Sequence, residues 1–389
     1  MRRFMSQPWP PVLFGEGVSQ EIGEHCVRLG GKRILAVYDK GLYSTGIVEP
    51  ILKTIEDQAG LVLERFDGIE PESPDYVVEA LGKAAAAFDA DMMVCIGGGS
   101  TLDTARAASM YRYCADIPFA ECQEKVFVPL TEEQINGIKL IFVPTTAGTG
   151  AEMSSGGPLL NTKTNVKGGP FFGAKLAALA VLDPTLTVGL PPYLTYTTAM
   201  DALAHAIEGM TGKMRSARSD LFCGQAVEYI WRSLPKALEN GTDLEARGEL
   251  LLGANLAIGV ETLRHLGHAV GQPVGGLFHI AHGHTCALAI APAVRMIAGC
   301  PDIQRELKLI AGKMGLNPDS PTVGIDIADA ITERNRAFGI KPLKEFGLTF
   351  AQVKEAIPQI MADGRLLPNA PVDVTEADVE TMLRGMYEY

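Results

Sequence analysis

Asp201 and His205 lie four residues apart in the stretch DALAHAIEG (201–209), which puts a carboxylate and an imidazole on one face of an otherwise apolar helical pattern. Two ligand-type groups aimed into one small volume suggest a metal ion. The same spacing also suits a surface ion pair or a helix-end device. The other histidines tip the balance: of seven, all but His25 fall between positions 205 and 284, at His205, His265, His268, His279, His282 and His284. Together Asp201, His205, His268 and His282 make one carboxylate and three imidazoles, a set that suits Fe²⁺ or Zn²⁺ and leaves room for a substrate oxygen. His265, His279 and His284 are then supporting, proton-handling or surface groups. Spacing alone does not rank the ligands among six histidines.

Two glycine-rich stretches carry a different chemistry. GGGSTLD (97–103) follows the run DMMVCI and leads into the helical pattern TARAASM. Its glycines allow close backbone approach to a pyrophosphate, while amides at a helix start offer donors and the positive dipole end. PTTAGTGAE (144–152), again after an expected strand, offers the hydroxyls of Thr145, Thr146 and Thr149 and close approach at Gly148 and Gly150. One such loop could be a tight turn; two at strand ends of one sheet point to a nucleotide. Asp39, closing the run RILAVY, could accept from a ribose 2′-hydroxyl and repel a 2′-phosphate, favouring NAD over NADP, or serve as an ordinary turn aspartate.

The elements that must position these groups divide the chain in two. In the first half, RILAVY (33–38), LVLERF (61–66), DMMVCI (91–96), KLIFV (139–143) and ALAVL (178–182) alternate with helical patterns. That alternation predicts βαβ units around a parallel sheet. Beyond DPTLTVGLPP (183–192), apolar residues recur at helical spacing and almost no strand is evident. The expectation is an α/β dinucleotide-binding domain over 1–190 and an all-helical metal-binding and catalytic domain over 191–389.

Composition narrows the partners. The chain has 389 residues, 47% of them hydrophobic and 21% charged, enough for two globular domains with a large core. A formal charge of -12 with no basic run argues against nucleic acid or an anionic membrane surface. Seven cysteines without a CxxC pair fit reduced thiols better than a disulfide framework. No apolar segment reaches membrane-spanning length, and the start MRRFMSQPWPP lacks the apolar stretch of a secretory signal, so a cytoplasmic location is expected.

Four ordered motifs resemble the iron-containing, or group III, alcohol dehydrogenases. GGGSTLDTAR is similar to that family's GGGSxxDxAK, PTTAGTGAEMS to its PTTAGTGSE, VLDPTLTVGLPPYLTYTTAMDALAHAIEG to its DPxL and LPxxLxAxTGxDALxHAIE stretch, and HAVGQPVGGLFHIAHG to its long histidine motif. The resemblance implies a nicotinamide cofactor, NAD, in the N-terminal half and a divalent metal, Fe²⁺ or Zn²⁺, in the C-terminal half. By position it assigns the metal to Asp201, His205, His268 and His282. It assigns the cofactor to Asp39, Gly97, Gly98, Gly99, Ser100, Asp103, Thr145, Thr146, Thr149 and Lys167. A homodimer or higher homo-oligomer is expected.

Departures from the pattern bear on the substrate. Gln272 stands where the family usually has a second, non-ligand histidine, and glutamine cannot act as an acid at neutral pH. Proton transfer would then use another group, with His279 a candidate; His268, Gln272 and His279 are the residues placed nearest the chemistry. Cys286 replaces a common Asn after the last histidine, and EPESP (70–74) replaces a PNP-like segment. The expected reaction is metal-assisted hydride transfer between NAD(H) and a small alcohol, or the aldehyde or ketone it interconverts with. Alternatives are a lyase resembling dehydroquinate synthase and a metal-independent reductase resembling maleylacetate reductases.

Overall fold

The computed structural model describes residues 9–114, 116–123, 130–164, 166–168, 175–259 and 263–389. The chain divides into two compact units: residues 9–190 with Gly241–Leu251, and Pro191–Asn240 with Leu252–Tyr389.

The first unit is built on strands β1 (Val12–Phe14), β2 (Arg33–Val37), β3 (Val62–Phe66), β4 (Met92–Gly97), β5 (Lys139–Pro144) and β8 (Leu179–Leu182), with a separate hairpin of β6 (Leu159–Asn161) and β7 (Val166–Gly168). The six strands pair in parallel in the order β1-β8-β5-β4-β2-β3. All of β4 is buried, and its alternate side chains feed two cores. Met93 and Cys95 pack with Val78, Leu81, Leu102 and Ala105 from α3 (Asp75–Phe88) and α4 (Gly99–Tyr111). Met92, Val94 and Ile96 pack instead with Ile22, Cys26, Ile51 and Ile55 from α1 (Ile22–Arg28) and α2 (Val48–Glu56). Strands buried on both faces read as continuous apolar runs, which explains the pattern seen along the sequence. The short β1 and the β6–β7 hairpin were not anticipated.

The winding of this sheet sets the ligand position. From β2 the chain moves outward to β3, then returns to place β4 on the other side of β2 and continues to β5. Strand order therefore reverses between β2 and β4, and open parallel sheets bind ligands in the crevice at the carboxyl ends of such strands. Asp39 follows β2 and Gly97–Gly99 close β4.

From Pro191 onward the described residues contain helices and no strand. The helices that matter for chemistry are α5 (Pro192–Thr211), α6 (Ala217–Glu239), α7 (Leu266–Phe278) and α8 (His282–Ile297). Proline at the first position starts α5, where its missing N–H costs nothing. Nearly every α5 residue from Thr195 to Thr211 is buried, as expected of a central helix enclosed by α6 and α8. Two glycines set α8 against its neighbours. A Cβ on Gly283 would lie 2.6 Å from the Thr197 carbonyl oxygen of α5, and Gly271 of α7 stands against the Thr285 backbone. No single described helix is long and apolar enough to cross a membrane.

Candidate metal centre and cofactor loops

Helix periodicity places Asp201, His205 and Glu208 on one face of α5, at i, i+4 and i+7. All three are buried, Asp201 at 2% and Glu208 at 0% exposure. Across from them, His268 sits in the first turn of α7 and His282 opens α8. The His268 Nε2 lies 3.2 Å and the His282 Nε2 3.4 Å from the Asp201 Oδ1. His205 Nε2 is 3.7 Å from the same oxygen, and the His205 and His268 rings stack at 4.4 Å. The four expected ligands thus converge around Asp201.

Cys286 joins three of them, and His205 falls outside this tighter group. Asp201, His268, His282 and Cys286 each offer one ligand atom, and these atoms all lie within 4.8 Å of one another. Cys286 was not among the expected ligands, although its spacing from His282, one helical turn, was visible. His282 is the one member of this quartet with partial exposure, its side chain 26% accessible. The cluster is therefore sealed on the Asp201 side and open beside His282.

Glu208 is the other group that sequence reasoning passed over. Its Oε1 accepts the backbone N–H groups of His265 at 3.1 Å, Gly267 at 2.7 Å and His268 at 3.2 Å, which caps the start of α7. Its Oε2 pairs with His268 Nδ1. Burial opposes its ionisation, but the His268 charge and hydrogen bond, aided by His265, hold the carboxyl at about 2. Donation of the Nδ1 proton to Glu208 leaves the His268 Nε2 as the atom facing Asp201.

Electrostatics tests whether a cation fits. Burial opposes the charged form of Asp201, yet His205 and His282 together hold its carboxyl well below the usual range. Burial, opposed by Asp201 and aided by the charges of His268 and Arg264, pushes His205 well below its ordinary value, and its Nδ1 has no hydrogen-bond partner among the described residues. His282 is raised to about 10 against its burial, by Cys286 and Asp201. Oxygen, imidazole and thiol donors thus surround a point where the fold calls for positive charge, and a divalent cation suits that donor set.

The remaining histidines are placed apart from this point. His265 is buried at the start of α7, with its Nε2 2.8 Å from Thr211 Oγ1. The ring nitrogens of His284 meet Tyr193 Oη at 2.9 Å and the Lys341 carbonyl at 2.8 Å. Gln272 is half-buried on α7, one turn after His268. His279 is exposed at the carboxyl end of α7 with a left-handed φ of 53°. Eleven residues of helix put it about 16 Å along the axis from His268. The structure does not bring His279 to the cluster.

In the α/β unit the two glycine-rich loops pack on each other. The Thr145 N–H donates to the Gly97 carbonyl at 3.1 Å. A Cβ on Gly99 would lie 2.6 Å from Thr149 Cγ2, closer than side chains tolerate, while one on Gly98 would make a tight 3.3 Å contact with Thr146 Oγ1. Gly98 caps α4, whose 13 residues aim their positive end at the crevice. Asp39 Oδ1 accepts the Leu42 N–H at 2.8 Å and starts the short helix Lys40–Ser44, the turn role named as its alternative. Asp103 pairs with buried Arg106 at 2.8 Å. Ser100 Oγ accepts the Glu72 N–H at 3.2 Å, and Glu72 in turn pairs with Lys167. The EPESP segment, with Glu72 and Ser73 at positive φ, is thereby docked on the first glycine loop.

Comparison with known proteins agrees with this arrangement. The family description "Iron-containing alcohol dehydrogenase" matches residues 10–184, and "Fe-containing alcohol dehydrogenase family, C-terminal" matches 195–387. The long-chain-alcohol dehydrogenase 1 of Geobacillus thermodenitrificans is 30% identical, covering 98% of this chain and 95% of its own. An NAD-dependent methanol dehydrogenase of Bacillus methanolicus is 32% identical over 76% of this chain and 79% of its own. The solved alcohol dehydrogenase from Oenococcus oeni superposes with a TM-score of 0.88 at 27% identity, covering 97% of this chain and 99% of that one. The chain belongs to the iron-containing alcohol dehydrogenase family and is an oxidoreductase.

Proposed function

We propose that the protein is an NAD(H)- and divalent-metal-dependent alcohol dehydrogenase that interconverts a small alcohol with its aldehyde or ketone by hydride transfer. The observation that carries this reading is the convergence of His205, His268 and His282 on Asp201, with Glu208 fixing the His268 tautomer. Asp201, His205, His268 and His282 would hold the ion, which when bound supplies Lewis acidity to a substrate oxygen. Glu208 keeps the His268 lone pair aimed at the site by holding the proton on Nδ1. The partly exposed edge at His282 admits the substrate, and the buried wall around Asp201 excludes water.

Asp39, Gly97, Gly98, Gly99, Ser100, Asp103, Thr145, Thr146, Thr149 and Lys167 would bind NAD, with the α4 amino terminus facing its pyrophosphate. Their fit rests on the crevice at the β2–β4 reversal and on the close-packed glycines. Gln272 can orient a substrate hydroxyl but not transfer its proton, and His279, exposed at the carboxyl end of α7 and apart from the cluster, is not placed to take that proton directly. A short aldehyde or ketone without a second charged group is the substrate class of this reading. A cytoplasmic location and a homo-oligomeric assembly belong to it as well.

The test is a panel of small alcohols and aldehydes assayed with NAD(H), using metal-stripped protein reloaded with iron or with zinc. Aldehyde-dependent NADH oxidation that requires added metal supports the assignment. Activity unchanged by stripping the metal would overturn it.

A further inference from the structure

We propose that Cys286 is a metal-facing thiolate, which turns the carboxylate–imidazole centre into a mixed carboxylate–imidazole–thiolate one and shifts its preference toward softer ions such as Zn²⁺ and Co²⁺. The inference rests on the metal-dependent reading above. Cys286 is 0% exposed, one turn after His282 on α8. Its Sγ lies 3.5 Å from His282 Nε2 and 3.8 Å from His268 Nε2. Both nitrogens also face the Asp201 carboxylate, so the sulfur shares their focal point.

Other buried thiols of this chain behave differently. Cys223 Sγ contacts the Ala257 carbonyl at 3.8 Å and Cys300 Sγ the Pro371 carbonyl at 3.6 Å, as small buried thiols do. The contacts of Cys286 are imidazole nitrogens. The thiol is also held in place. Gly283 packs α8 on the Thr197 carbonyl, and Gly271 lies 3.4 Å from the Thr285 backbone by its Cβ position, so α8 has little freedom to swing Cys286 away.

A thiolate binds borderline and soft cations more strongly than hard ones. On coordination the S–H bond breaks, the sulfur keeps the electron pair and shares it with the cation, and the proton leaves to solvent, so no oxidant or reductant is needed.

The experiment loads full-length protein, stripped of metal, with Co²⁺ and records its absorption. Wild type should show a near-ultraviolet thiolate-to-cobalt charge-transfer band together with visible ligand-field bands. Cys286→Ser and Cys286→Asn should keep the ligand-field bands and lose the charge-transfer band. In competition with a chelator, either variant should lose Zn²⁺ affinity by at least about 10-fold, since even partners outside the ligand set cost about 10–100-fold, while Mn²⁺ affinity changes little. Two variants guard against one failing to fold. Cobalt spectra without a charge-transfer band in wild type, or identical in wild type and variants, would overturn the Cys286 assignment alone. Absence of any cobalt binding to folded wild type would instead overturn the metal-dependent reading on which it rests.

Discussion

Glu208 and His268 form the contact on which the metal centre is organised: one carboxylate oxygen takes the imidazole Nδ1, and the other caps the helix that carries it. A single side chain on α5 therefore fixes the ring orientation of His268 and the position of α7. Glu208→Gln should lower metal affinity by about 10–100-fold with the fold retained. A chelator competition titration reads this directly, and unchanged affinity would show that the contact is structural only. Glu208→Ala should also destabilise the protein by more than about 1–3 kcal/mol, the cost of one unsatisfied buried group, because three buried N–H groups lose their acceptor.

The packing of the glycine loops gives a second expectation. Gly99→Ala forces its methyl group into Thr149, at a cost of about 1–3 kcal/mol for overpacking, and should raise the KM for NADH. Adding Thr149→Ser removes the facing methyl and should recover part of both losses. Strictly additive effects in the double mutant, measured by unfolding and by NADH titration, would contradict the contact.

Lys175 offers a test by pH. Burial first, and then the charges of Arg106 and Arg112, lower its pKa from 10.5 to about 7. Its ammonium lies on the carbonyls of Ile135 and Ile138. Between about 7 and 10.5 the unfolded chain holds a proton that the folded one lacks, so this group makes stability rise with pH there. Below that window both states are protonated and the cost of the buried charge is complete. Lys175→Met should therefore compare most favourably with wild type at about pH 6, and lose ground by about pH 9, in urea unfolding. A stability difference independent of pH would refute the assignment.

His279 tests the boundary of the metal centre. His279→Gln should leave both turnover and metal content close to wild type, since His279 lies about 16 Å along α7 from His268. Loss of metal in this variant, measured by elemental analysis, would place His279 in the centre after all.

Much of the fold was legible along the chain. Four of the apolar runs became β2, β4, β5 and β8 because strands covered on both faces need continuous hydrophobicity, while LVLERF became the largely exposed edge strand β3. Val12–Phe14 escaped notice because three residues after a pair of prolines, partly exposed, carry no periodicity. The β6–β7 hairpin is as short and lies where no alternation develops. Asp201 and His205 were legible because helical spacing alone puts them together. Glu208 shares that face, yet its role depends on the amino terminus of α7, 57 residues on, which no local pattern reports. Cys286 likewise shows its meaning only once α8 is packed beside α7.

The most direct measurement is the dependence of aldehyde-driven NADH oxidation on metal returned to stripped protein, compared between wild type and His268→Ala. Wild type should regain activity as one Fe²⁺ or Zn²⁺ per chain is restored, and folded His268→Ala should not. Full turnover by metal-free wild type, or by His268→Ala without bound metal, would contradict the metal-dependent reading.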